Sequence, residues 1–136
     1  MRVFFDTNVL LDSAYLRKGY AESEAVIATC LNKVHEGWIA WHSLSNIYYL
    51  VRAQTKSKDQ ALEFVKDLLA WADVASTAKT DALTATSLAM TDFEDAVQAS
   101  AALACKADVI VTRNLADFVS SPVAAMTPET FLAAYP

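Results

Sequence analysis

The sequence predicts an α/β fold, a sandwich built on a mostly parallel sheet, and three observations predict it. Short β-prone apolar runs alternate with longer stretches of helical periodicity. Connections are short, with only two Gly and three Pro in 136 residues. Apolar residues make up 54% and charged residues 20%, the composition of a chain that buries a proper core. A single domain over residues 1–136 is expected, without repeats, linkers or low-complexity stretches.

Taken in order, Arg2-Val3-Phe4-Phe5 is the first strand, and it runs directly into Asp6-Thr7-Asn8. Glu22 to His35 places Val26, Ile27, Cys30, Leu31 and Val34 at helical spacing, with Gly37 as the stop signal. Trp38-Ile39-Ala40-Trp41 has strand length. Ser43 to Arg52 reads as a helix opened by Ser43 or Ser45, with Leu44, Ile47, Tyr48 and Val51 along one side. A helix from Ser57 or Lys58 through Trp71 turns Ala61, Leu62, Val65, Leu68 and Leu69 inward. Val74-Ala75 is a brief strand, and Asp81 to Met90 a weakly patterned helix. Thr91 followed by Glu94 has the form of a capping box and opens an Ala-rich helix to about Lys106, suited to close packing over a sheet. Val109-Ile110-Val111 is the strongest buried strand and ends in Thr112-Arg113-Asn114. Pro122 to Met126 adds an edge strand, and Thr127-Pro128-Glu129 opens a last short helix, with Thr as cap and Pro at the first helical position.

The net charge of −5 argues against broad non-specific binding of nucleic acid over the whole surface, but not against a local cluster of acids that holds a cation. Cys30 and Cys105 fall in apolar helical patterns and read as buried free thiols, which suits a reducing cytoplasm. Met1-Arg2 leads straight into the first strand, so no secretory leader is expected. The longest run without a charged residue, Gly37 to Val51, is too short for a membrane span, and a soluble protein with no membrane partner is expected.

The acids carry the functional argument. A carboxylate directly after a buried strand is costly unless a cation or donor meets it, and in an open parallel sheet the carboxyl edge is where sites form. Asp6 stands at such an edge, although an Asx-type turn is an equally good account of it in isolation. Asp117 follows the Val109–Val111 strand, and Asp92, Glu94 and Asp95 open the Ala-rich helix. The helix dipole explains some of these three, and Asp95, a turn in from the cap, least. If the three ends share one sheet edge, Asp6, Asp95 and Asp117 converge. Like charges that close require a cation, and hard oxygen donors suit Mg²⁺ or Mn²⁺ held partly through water.

Asp6-Thr7-Asn8-Val9-Leu10-Leu11-Asp12, then Asp95 within Asp92-Phe93-Glu94-Asp95-Ala96, then Val111-Thr112-Arg113-Asn114 with Asp117-Phe118, resemble the PIN-domain nucleases. That family includes the ribonuclease toxins of toxin–antitoxin pairs, the VapC type. The resemblance covers essentially the whole chain, in order. It implies a three-layer α/β/α sandwich with about five parallel strands, a carboxylate-bound Mg²⁺ or Mn²⁺, and endonucleolytic cleavage of single-stranded RNA. It also implies an antitoxin protein and a homodimer as partners. Residue by residue, Asp6 matches the first metal-binding acid and Asp95 the acid on the later helix. Asn114 and Asp117 match the polar and acidic positions after the fourth strand, and Thr112 a supporting hydroxyl. Thr7 and Asn8 complete the opening motif.

One position departs. Where the family carries a Glu in the helix after the second strand, Ser43-Leu44-Ser45-Asn46-Ile47 offers Asn46, a neutral ligand at most. Glu94 could compensate, although a capping box would point it elsewhere. Arg113 is expected either to contact substrate phosphate bidentately or to form an ion pair. Arg17, Lys18 and Arg52 are further cations placed near that edge, each also explained as a solvated face. The Tyr and Trp residues fit core or subunit contacts as well as base stacking, and His35 and His42 have no partner at ligand spacing. Two rivals stand beside the nuclease. One is a PIN-like module that binds RNA or protein without cutting. The other is a haloacid-dehalogenase-type phosphatase, whose second Asp two residues after the first is here Asn8.

Overall fold

The computed structural model describes residues 1–15 and 17–136. Five strands form one sheet: β1 (Arg2–Phe5), β2 (Glu36–Ile39), β3 (Ala72–Val74), β4 (Val109–Val111) and β5 (Ala125–Met126). Their order is β3-β2-β1-β4-β5 and every pairing is parallel. The helices are α1 (Thr7–Tyr15), α2 (Tyr20–Leu31), α3 (Trp41–Thr55), α4 (Lys58–Leu69), α5 (Lys79–Ser87), α6 (Phe93–Ala104) and α7 (Pro128–Ala134), with a 3₁₀ turn at Leu115–Phe118.

Strand alternation divides the core between the two faces of the sheet. Val3, Phe5, Val109 and Val111 pack with Val9, Leu10 and Leu11 of α1, Val26 and Cys30 of α2, Ile47 and Val51 of α3, and Phe131 of α7. Phe4 and Ile110 point the other way, onto Ala99, Ala101 and Ala102 of α6 with Cys105 and Phe118. The small residues of α6 let it lie close over the sheet, and the result is the expected three-layer α/β/α sandwich. Both cysteines are free and buried, as their apolar settings implied.

Several boundaries move for identifiable reasons. Gly37 is not a stop signal but the second residue of β2, because the Trp71 ring lies against it. A Cβ at position 37 would meet Trp71 Cζ3 at 2.6 Å. Accordingly α2 starts at Tyr20 and ends at Leu31, leaving Val34 63% exposed in the turn before β2. Leu62 and Leu69, expected inward, are exposed, while Ala61 and Leu68 fill the α4 side of the core. Trp38 is half-buried and Trp41 exposed. Asp92, not Thr91, caps α6 and accepts a bond from Glu94 N at 3.3 Å. With glycine scarce, three left-handed positions are occupied by lysines: Lys33, Lys56 and Lys106, with φ of 59°, 54° and 57°. Among the described residues no helix is long and apolar enough to cross a membrane.

Candidate active site

The chain runs β1, β2, β3 to one side and returns to place β4 against the other side of β1. That reversal opens a crevice at the carboxyl ends of β1 and β4, the position where parallel sheets bind ligands. Asp6 and Thr112 are the residues that follow those two strands. Asp6 N donates to Val111 O at 3.0 Å, which zips the strand ends together.

The Asp6 side chain is only 2% exposed, so the chain must supply its donors. Thr112 Oγ1 donates to Oδ2 at 2.8 Å, and Gln98 Nε2, from α6, donates to Oδ1 at 3.0 Å. Asn8 N lies 3.4 Å from the same Oδ1. Thr7 N, an otherwise orphaned donor at the start of α1, bonds Gln98 Oε1 at 3.2 Å, and Thr7 Oγ1 meets Ser43 Oγ at 2.7 Å. Burial still raises the Asp6 carboxyl above its ordinary value; the bonds from Gln98, Thr112 and Asn8 offset part of the rise, and repulsion from Glu94 adds to it.

Asp95 lies one turn into α6. Burial, and then the charges of Glu94, Asp6, Asp92 and Asp117, push its carboxyl up to about 7. Asp95 thus feels the charges of both Asp6 and Asp117, the latter exposed on the 3₁₀ turn. Asn114 is also exposed, and its N–H donates to Thr112 Oγ1 at 3.0 Å. Asn46 is exposed and lines a cleft with Thr7, Asn8, Leu11, Tyr49, Leu50 and Glu94.

Three side chains stand where the sequence did not place them. With Asp92 as cap, Glu94 is free of the backbone, and its carboxylate turns to Gln98 Nε2 at 3.0 and 2.8 Å and to His42 Nε2 at 2.9 Å. His42, read as lacking a partner, is thus tied to the acid cluster. Gln98, not singled out from the sequence, is wholly buried; a polar residue on an Ala-rich helix, one turn after Glu94 and Asp95, was the usable signal.

Arg113 takes the ion-pair alternative. Its Nε donates to Asp12 Oδ2 at 2.6 Å, Nη1 to Glu129 Oε1 at 3.0 Å, and Nη2 to Gly19 O and to Ser23 Oγ at 2.9 Å. A guanidinium so occupied joins α1, α2 and α7 and has no donor pair free for a phosphate. Arg17 Nη1 lies 3.4 Å from Asn8 Oδ1, while Lys18 and Arg52 are exposed.

The donor set is hard oxygen, and among the described residues no Lys or Arg is paired with Asp6, Glu94, Asp95 or Asp117. That uncompensated charge fits a divalent cation held partly through water. As placed, however, no three His, Cys, Asp or Glu side chains among the described residues close a direct ligand shell.

The profile of the PIN domain matches residues 2–116. The chain belongs to the PIN-domain family. No protein of curated function matches the sequence. The PIN domain here is similar in fold to chains of three solved complexes. For the VapBC2 complex of Rickettsia felis bound to a DNA fragment from its promoter, the TM-score is 0.73 at 18% identity, covering 93% of this chain and 98% of that one. For a toxin–antitoxin complex from Klebsiella pneumoniae it is 0.68 at 17% identity, covering 93% and 97%. For VapBC-1 of nontypeable Haemophilus influenzae it is 0.67 at 15% identity, covering 95% and 99%. At these identities the likeness is one of fold. Membership in the PIN family leaves no place for the phosphatase reading.

Proposed function

We propose that this PIN domain is a Mg²⁺- or Mn²⁺-dependent endoribonuclease that hydrolyses phosphodiester bonds of single-stranded RNA, as the toxin of a toxin–antitoxin pair. The observation that carries the reading is the group of acids at the β1/β4 crevice, where burial and then the neighbouring charges hold Asp95 at about 7 with no Lys or Arg among the described residues paired to it. Asp6 and Asp95 would hold the cation directly or through water, with Asp117 orienting a water or a second cation. Bound there, the ion supplies a polarised phosphate oxygen and a water of lowered pKa.

The remaining roles belong to the chain itself. Thr112 and Gln98 fix both oxygens of Asp6, so its carboxylate cannot rotate away. Thr7, Asn8 and Asn114 brace that arrangement through their backbone N–H groups. Asn46 offers a neutral oxygen to the cleft. Arg113 holds the Thr112–Asn114 turn in place, and the exposed Arg17 beside Asn8 is the cation available to a substrate phosphate. The complexes similar in fold support an antitoxin partner, and free buried thiols suit the cytoplasm. A homodimer would cover apolar residues such as Leu62 and Leu69.

The test is Mn²⁺-dependent cleavage of a labelled single-stranded RNA. Activity should appear with Mn²⁺ and fall in Asp6→Asn by more than the roughly 10–100-fold that outer partners of a metal site cost. RNA that is bound but never cut with any divalent ion would leave the non-catalytic binding module in its place. The neutral Asn46 favours that second reading.

A further inference from the structure

We infer that Glu94 is a further ligating residue of the Asp6 centre, supplying from α6 the negative charge that α3 does not bring. The inference rests on reading that centre as a cation site. The cleft beside it is lined from α3 by Asn46, Tyr49 and Leu50, none of them charged, and from α6 by Glu94. Among the described residues that line the cleft, Glu94 is the only acid.

Its placement is built rather than incidental. Thr7 N fixes Gln98 Oε1, so the amide can face the carboxylates only with its nitrogen, which has two hydrogens to give. One nitrogen then meets Asp6 Oδ1 at 3.0 Å and Glu94 Oε2 at 2.8 Å, setting the two carboxylates on either side of it. His42 Nε2 holds the same Glu94 oxygen from the start of α3, at 2.9 Å. Gln98 is wholly buried, so this bracket is anchored in the core while the Glu94 carboxylate stays 41% exposed at the cleft. Neighbouring acids have other duties. Asp92 caps α6, Asp81 Oδ2 accepts Ala78 N at 2.8 Å at the start of α5, and Asp12 is paired with Arg113. Glu94 is held by the side chains of Gln98 and His42 and is still left open at the cleft.

The experiment measures Mn²⁺ binding to the full chain without RNA, from the paramagnetic resonance signal of free Mn²⁺. Circular dichroism and melting confirm the fold of each variant. Glu94→Gln, which keeps the shape and the bond from Gln98, should weaken Mn²⁺ binding about tenfold or more. Asn46→Glu in the Glu94→Gln background should recover most of it, because the new carboxylate enters the same cleft from its opposite wall. Glu94→Asp, with the charge kept and the reach shortened, should fall between wild type and Glu94→Gln. Wild-type affinity in a folded Glu94→Gln overturns the inference while leaving the Asp6 reading standing, provided Asp6→Asn still loses Mn²⁺. A wild-type chain that binds no Mn²⁺, or an Asp6→Asn variant that binds it unchanged, overturns both.

Discussion

Two groups of acids lie a few residues apart at the same edge of the sheet and are treated in opposite ways. Asp12 is 1% exposed and Asp6 2%, so burial does not distinguish them. Asp12 is met by Arg113 Nε at 2.6 Å and Ser23 Oγ at 2.7 Å, and Glu129 takes a second donor of the same guanidinium. Asp6 is met by neutral donors, with the like charge of Glu94 beside it. The divergence begins at adjacent residues, since Thr112 serves one group and Arg113 the other. Where this chain needs rigidity it provides its own cation. Where it withholds one from a buried carboxylate, it leaves room for a charge from outside, and that contrast supports the proposed site more than any single motif does.

The largest effect should come from breaking the compensated group. Arg113→Ala leaves Asp12 buried without its partner, a loss of about 3–5 kcal/mol by the behaviour of buried ion pairs stripped of one member. Thermal and urea unfolding should show it, with part of the loss recovered by adding Asp12→Asn. A small effect would mean that Arg113 is not the pin that joins α1, α2 and α7. Gln98→Leu tests the other group more gently. It keeps volume but leaves Thr7 N without its acceptor and Asp6 one donor short, a cost of about 2 kcal/mol. Mn²⁺ affinity should fall with it; unaltered stability would show that the amide is not the bracket described.

Much of this could be read along the chain, and what could not was non-local. Val109-Ile110-Val111 and Arg2–Phe5 announced buried strands by their composition, and Asp6 announced itself as an acid at the end of one. Helix periodicity placed Val26, Cys30, Ile47 and Leu68 correctly. Gly37 misled because a glycine looks like punctuation until Trp71, far along the chain, is known to lie on it. The α6 cap slipped by one residue because Thr91 and Asp92 are both good caps, and that single step redirected Glu94 from backbone to site. The bond from Gln98 to Asp6 spans 92 positions and the His42–Glu94 contact 52, so no local pattern reveals either. Arg113 was visible as important, but its choice of Asp12 over a phosphate depends on how α1 and α7 pack.

The smallest effect is the most direct test of the contrast, because it asks whether the uncompensated charge has a cost. Asp95 titrates near 7 in the folded chain against an ordinary 3.8, so between those values the folded state keeps a proton that the unfolded chain has released. Stability therefore falls as pH rises through that window and is lowest above it. In metal-free protein at pH 8, Asp95→Asn should be more stable than wild type. The gain should be about 1 kcal/mol, since solvent screens a carboxyl that is only partly enclosed. Its stability should also vary less between pH 4 and 7. Adding Mn²⁺ at pH 8 should stabilise wild type and do less for the variant, because the ion relieves the repulsion that the amide has already removed. If Asp95→Asn is no more stable at pH 8 and its pH profile overlays that of wild type, the acids do not share a field. Asp6 and Asp12 would then be two ordinary buried carboxylates.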